Sequence, residues 1–168
     1  MTSGATGGRA SSGSPIPAGR VAGVDYGRRR IGVAICDAER ILASPLVVHE
    51  TTGDTAADAA FFRRLVAAES IVGFVIGLPI HADGSDSKMS VEVERFGDWL
   101  AATTGLPCVF HDERYSSREA TGLLAGSGLT RGKKRQRFDA VAAQVVLASW
   151  IESQVHPGAA HAPGPLED

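Results

Sequence analysis

The segment Ile71–Leu78, reading Ile-Val-Gly-Phe-Val-Ile-Gly-Leu, is the strongest constraint on what this chain can fold into. It carries no polar side chain and does not alternate, so a strand built from it must be covered on both faces. A parallel or mixed sheet with helices on each side offers that environment. Pro79 ends the run, because proline lacks the N–H that a central ladder needs. Helical periodicity flanks it on both sides. Thr55–Glu69 places Ala59, Phe62, Leu65 and Val66 on one face, and Lys88–Thr104 repeats Met89, Val93, Phe96 and Leu100.

The rest of the chain fits the same scheme. Arg20–Tyr26 and Ile31–Cys36 read as strands, the second alternating and β-branched. Asp37-Ala38-Glu39-Arg40 reads as a turn, Ile41–His49 as a third strand and Pro107–His111 as a fifth. Ser116–Gly126 reads as a helix, capped by Ser116 with Glu119 closing a capping box. Gly128–Arg135 is expected to be a flexible basic loop. Gln136–Val155 is expected to be the last helix, with Phe138, Val141, Ala142 and Val145 facing inward. The order β-β-β-α-β-α-β-α-α predicts an α/β domain, a five-stranded mixed sheet with helices on both faces, which is the order of the ribonuclease H-like fold. The domain is expected over residues 20–155. Residues 1–19, rich in Gly, Ser, Ala and Pro and free of acids, and residues 156–168, with three prolines, are expected to be disordered tails.

A chain of 168 residues is long enough for one such domain. Its net charge of −2 points to no partner, but the basic residues are clustered. Arg28, Arg29 and Arg30 form one group; Arg131, Lys133, Lys134, Arg135 and Arg137 form another. Cys36 and Cys108 sit in apolar runs without metal-ligand spacing, which reads as buried, reduced thiols of a cytosolic protein. No apolar stretch approaches a membrane span, and no signal-peptide hydrophobic region follows Met1.

The acids carry the functional signal. Asp25 falls near the end of the first buried strand, where a carboxylate is costly unless something pairs with it. His111-Asp112-Glu113-Arg114 and Arg137-Phe138-Asp139-Ala140 place further acids at a strand end and a helix start. Asp112 and Glu113 are adjacent, so at most one of them faces the site directly. Each acid has a plainer explanation: a turn residue for Asp25, solvated charges for Asp112 and Glu113, a dipole partner for Asp139. Their coincidence favours a shared role. Three clustered carboxylates repel one another unless cations neutralise them. Phosphodiester hydrolysis uses two hard divalent ions about 3.5–4 Å apart, which take oxygen ligands. Asp25, Glu113 and Asp139 are therefore the candidate catalytic and metal-binding residues, Asp25 as the bridging ligand, with Mg2+ or Mn2+ as cofactor. Arg28, Arg30, Arg114, Lys133, Lys134, Arg135 and Arg137 are candidates for holding a nucleic-acid backbone. His81 and His111 read either as a general base or as residues without a catalytic role, and Tyr115 either stacks a base or packs on the sheet.

Four stretches, in order, resemble one family. Asp25-Tyr26-Gly27-Arg28-Arg29-Arg30-Ile31-Gly32-Val33-Ala34 resembles the opening motif of the YqgF/RuvX family, the Holliday-junction-resolvase-like pre-16S rRNA nucleases. Gly77-Leu78-Pro79 with Asp83-Gly84 resembles its second motif, Asp112-Glu113-Arg114-Tyr115-Ser116-Ser117 its third, and Phe138-Asp139-Ala140-Val141-Ala142-Ala143 its fourth. The resemblance spans about Arg20 to Ser153. It implies a ribonuclease H-like fold, a cytoplasmic location and metal-dependent nuclease activity. The family is associated with maturation of the 5′ end of 16S rRNA and, by homology, with resolving DNA junctions. The implied partners are structured RNA, branched DNA and a pre-ribosomal particle, with no membrane; monomer and homodimer both remain open. Asp25, Glu113 and Asp139 match the family's catalytic acids, and Arg30 its basic position. Two other readings stand beside this one. One is a non-catalytic module on the same fold that binds RNA or a transcription complex. The other is an actin-like ATPase, for which this chain has room for only one of the two copies of a related fold.

Overall fold

The computed structural model describes residues 16–79, 88–112 and 131–155, with the side chains of the last segment described from Asp139 onward. The predicted helix Ser116–Gly126, the acid Glu113 and the residues His81, Arg114 and Tyr115 lie outside the described residues.

Five strands form one sheet: β1 (Arg20–Asp25), β2 (Arg30–Cys36), β3 (Ala43–Glu50), β4 (Ile71–Leu78) and β5 (Cys108–Asp112), in the order β3-β2-β1-β4-β5. The first three make an antiparallel meander, and β4 and β5 add in parallel beside β1. Helices α1 (Thr55–Glu69) and α2 (Lys88–Thr104) cover one face, and α3 (Arg131–Val155) crosses the other.

Local chemistry sets the boundaries. Asp54 caps α1 by accepting from the backbone N–H groups of Ala56 and Ala57 at 3.0 and 3.3 Å. Ser70, in the left-handed region at φ 54°, closes that helix and turns the chain into β4. Alternation then divides the core. Ala22, Val24, Phe74 and Ile76 pack with Phe62, Val93, Phe96 and Leu100 of α1 and α2. Phe62 lies edge-on to Phe74, Phe96 and Trp99 at 5.9–6.3 Å between ring centroids. Val21, Ala34, Cys36 and Val75 point the other way, into Ala143, Val146, Leu147 and Trp150 of α3. The two cysteines are free and buried on opposite faces, and burial pushes the Cys108 thiol up to about 12.

Four expectations shift. Strand β3 begins at Ala43 rather than Ile41, because the Asp37 carboxylate accepts from the N–H groups of both Ile41 and Leu42, at 2.9 and 2.7 Å. That bond holds the turn open through Leu42, with Arg40 at φ 56°, and leaves Ile41 78% and Leu42 68% exposed. Helix α3 begins at Arg131, so residues 131–135, expected as a flexible loop, are helical. Lys and Arg favour helix even without an apolar stripe to announce it. The α3 stripe on the sheet is Ala143, Val146, Leu147, Trp150 and Ile151, whereas Val141 and Val145 form a small cluster of their own with Ala142. Ile16, read as part of the tail, is buried against Gly73 of β4.

Candidate active site

The carboxyl ends of the parallel strands define the site. Val24, Ile76 and Phe110 form one row across β1, β4 and β5. One residue further along, the register places Asp25 beside Gly77, and Gly77 pairs with His111. On its other side Asp25 pairs with Gly32 of β2. Asp25 is thus flanked by two glycines, at strand spacings of about 4.8 Å. Alternation from Val21 and Gly23 points it to the α3 face. It is half-buried.

Helix α3 brings the second acid to this point. A Cβ on Gly32 would lie 2.0 Å from the Asp139 carbonyl oxygen, and one on Gly23 would lie 2.6 Å from Leu147 Cβ. The absence of side chains at these two positions lets the helix backbone rest directly on β1 and β2. Asp25 and the Asp139 backbone therefore share one neighbour, Gly32. The Asp139 side chain forms an ion pair with Arg30, Nε to Oδ2 3.1 Å, with Arg30 34% and Asp139 20% exposed.

The third candidate, Glu113, lies outside the described residues. Its neighbour Asp112 pairs with Leu78 and falls on the α2 side of the sheet, opposite Asp25. His111 lies on the Asp25 side, two strands away, about 10 Å by strand spacing. Its Nε2 is 2.8 Å from Ser149 Oγ of α3. Burial lowers its pKa, against a smaller opposing pull from Asp112, so the neutral ring is favoured. Its Nε2 is thus committed to the helix.

The three arginines after Gly27 have different surroundings. Arg28 grips the Glu92 carboxylate of α2 through Nε and Nη2, at 2.9 and 2.6 Å. That bond holds the Glu92 carboxyl below its usual range and raises the Arg28 guanidinium. Arg29 is exposed. Arg30 is held by Asp139. All three line a cleft of about 600 Å³ with Glu50, Thr51, Thr52 and Gly53. The Thr51 N–H donates to the Arg29 carbonyl at 2.9 Å and ties the two walls together. Lys133, Lys134, Arg135 and Arg137 lie on the first turns of α3, whose positive dipole end adds to their charge; Arg114 lies outside the described residues. Sequence reading missed the Arg30–Asp139 and Arg28–Glu92 pairs. A signal for the first was present, because alternation along β2 puts Arg30 and Gly32 on the same face.

Asp25 and Asp139 offer hard oxygen donors, and both neighbour Gly32, one through the sheet and the other through the helix backbone. That donor set fits a divalent cation such as Mg2+ or Mn2+. Among the described residues no three His, Cys, Asp or Glu side chains gather at one point.

The sequence profile of RuvX, described as a Holliday junction resolvase, matches residues 19–153. The chain belongs to the RuvX family. A Rhodopirellula baltica protein named "Putative pre-16S rRNA nuclease" is 50% identical over 135 residues, 80% of this chain and 78% of that one. A Sphingopyxis alaskensis protein of the same name is 37% identical over 137 residues, 80% of this chain and 88% of its own length. Among solved structures, Thermus thermophilus RuvC in complex with a Holliday junction substrate superposes with a TM-score of 0.51 at 14% identity, over 82% of this chain and 96% of that one. The yeast mitochondrial Holliday junction resolvase gives 0.51 at 9% identity, over 84% and 82%. At such identities these structures show the fold, which is ribonuclease H-like as the element order predicted. The family read from the four motifs is the family found.

Proposed function

We propose that this RuvX-family chain is a divalent-metal-dependent endonuclease that trims the 5′ end of pre-16S rRNA in the cytoplasm, acting on the pre-ribosomal particle. The observation that carries the reading is the meeting of Asp25 and Asp139 at Gly32, in the row where the parallel strands end. The third ligand in this reading is Glu113, since its neighbour Asp112 belongs to the opposite face. Asp25, Glu113 and Asp139 would hold Mg2+ or Mn2+, which when bound activates water and neutralises charge at the scissile phosphate. Arg29, the cleft walls and the basic first turns of α3 position the backbone. His111, bonded to Ser149, braces β5 against α3 and has no part as a base.

The second reading is a resolvase of branched DNA. It is favoured by the description of the RuvX family as a Holliday junction resolvase and by the fold shared with RuvC, whose structure holds a Holliday junction substrate. Symmetric cutting of a junction requires two active sites, so this reading calls for a homodimer.

The experiment is cleavage of a pre-16S 5′-leader RNA and a four-way DNA junction, side by side, with Mg2+ or Mn2+, by the wild type and Asp25→Asn. Cleavage of the RNA alone, lost in the variant, supports the first reading. Cleavage of the junction alone transfers the assignment to the second. Normal cleavage by Asp25→Asn overturns the site. Binding of RNA with cleavage of neither substrate points to the non-catalytic module.

A further inference from the structure

Arg30 opens β2 at the boundary between two features. On one side its Nε lies 3.1 Å from Asp139 Oδ2, an oxygen with essentially no exposure to solvent. On the other it lines the cleft with Arg28, Arg29, Thr51 and Thr52. Asp25 and Asp139 both neighbour Gly32, Asp25 by strand pairing and Asp139 through its backbone. Carboxylates brought near one another repel unless a cation stands nearby. A guanidinium meets that need, being permanently charged and weakly hydrated. It also occupies the oxygen that a divalent ion would take, and two cations close to one oxygen repel strongly in a partly buried setting.

We infer that Arg30 is an exchangeable counter-ion. It holds Asp139 ready while no divalent metal is bound, and it leaves Oδ2 for the cleft when metal enters. The inference rests on the metal-dependent reading above. Arg30 is one-third exposed, so its guanidinium can swing without unpacking the core. In the cleft it meets the phosphodiester backbone, for which a planar guanidinium is well suited. Metal entry therefore frees a phosphate-binding group, and by reciprocity bound backbone, by drawing Arg30 away from Asp139, tightens metal binding.

The test is calorimetric titration of the full chain with Mn2+ alone, with melting temperatures measured before and after. Arg30→Gln removes the competing charge and should tighten Mn2+ binding about fivefold. The same variant should melt below the wild type without metal and gain more from Mn2+. Arg30→Lys keeps the charge and should stay near wild-type affinity, and Asp139→Asn should weaken binding. Unchanged or weaker binding by Arg30→Gln, with measurable binding by the wild type, overturns the exchange and leaves the metal site standing. Absence of Mn2+ binding by the wild type at millimolar concentration removes the metal reading and the exchange with it.

Discussion

Gly32 carries the backbone of Asp139: a Cβ at that glycine would sit 2.0 Å from the Asp139 carbonyl oxygen and 2.4 Å from its carbonyl carbon. The obstacle is helix backbone, not the end of a flexible side chain, so it has little freedom to yield. The same glycine pairs with Asp25 in the sheet. One small residue thus neighbours both candidate acids and sets the depth at which α3 lies.

Gly32→Ala should therefore damage both fold and site. Overpacking of this kind costs about 1–3 kcal/mol, and here it lifts the helix segment bearing Asp139 off β2. Urea unfolding should show the loss, and Mn2+ titration should show weakened binding in the fraction that stays folded. A variant with wild-type stability and affinity would mean that α3 does not need this close approach.

The same close approach explains what was legible in the sequence. Helices α1 and α2 and strand β4 match their predicted limits, and for α1 and β4 local signals fix them: the Asp54 cap, the left-handed Ser70 and the stop at Pro79. Strand β3 begins two residues late because the Asp37 carboxylate captures two backbone N–H groups, a bond that hydrophobic pattern does not report. The start of α3 is hidden in a run of Lys and Arg with no apolar period. Asp25 and Asp139 could be singled out as acids at element ends. Their meeting at Gly32 is tertiary, and so is the capture of Arg28 by Glu92, 64 residues away in sequence.

The β3–α1 connection, which forms one wall of the cleft, depends on Asp58. Its Oδ1 lies 2.6 Å from His49 Nε2, and its Oδ2 accepts from Thr51 Oγ1 at 2.7 Å. His49 also stacks on Phe61 at 4.0 Å. Asp58→Ala leaves two largely buried polar groups without this partner, a loss of about 1–3 kcal/mol. It also releases Thr51 from its position in the cleft. Chemical denaturation should record the first effect and weaker oligonucleotide binding the second. Full retention of both would separate the cleft wall from this network.

The basic first turns of α3 should reveal themselves through salt. If Lys133 and Lys134 contact phosphates, each alanine substitution should lower the slope of log affinity against log salt concentration by about one. Affinity should fall to a similar degree for RNA and DNA, since backbone contacts carry no sequence information. Fluorescence anisotropy across a salt series measures both. An unchanged slope in the double variant would remove this end of the helix from the interface.

His111 gives the domain a pH dependence with a definite sign. Burial holds its folded-state pKa below the ordinary value of 6.5, with Asp112 opposing by a smaller amount. At neutral pH the ring is uncharged in both the folded and unfolded states, so the contribution is fully retained. As pH falls below about 6.5 the unfolded chain takes up a proton that the folded protein resists, and stability declines until the folded pKa is passed. His111→Gln removes this proton uptake while keeping a group able to bond Ser149. Urea titrations between pH 7.5 and 5 should give a steeper loss for the wild type than for the variant, with the two curves parallel above pH 7. Equal slopes throughout would mean that the ring between β5 and α3 takes up its proton as readily in the folded state as in the unfolded one.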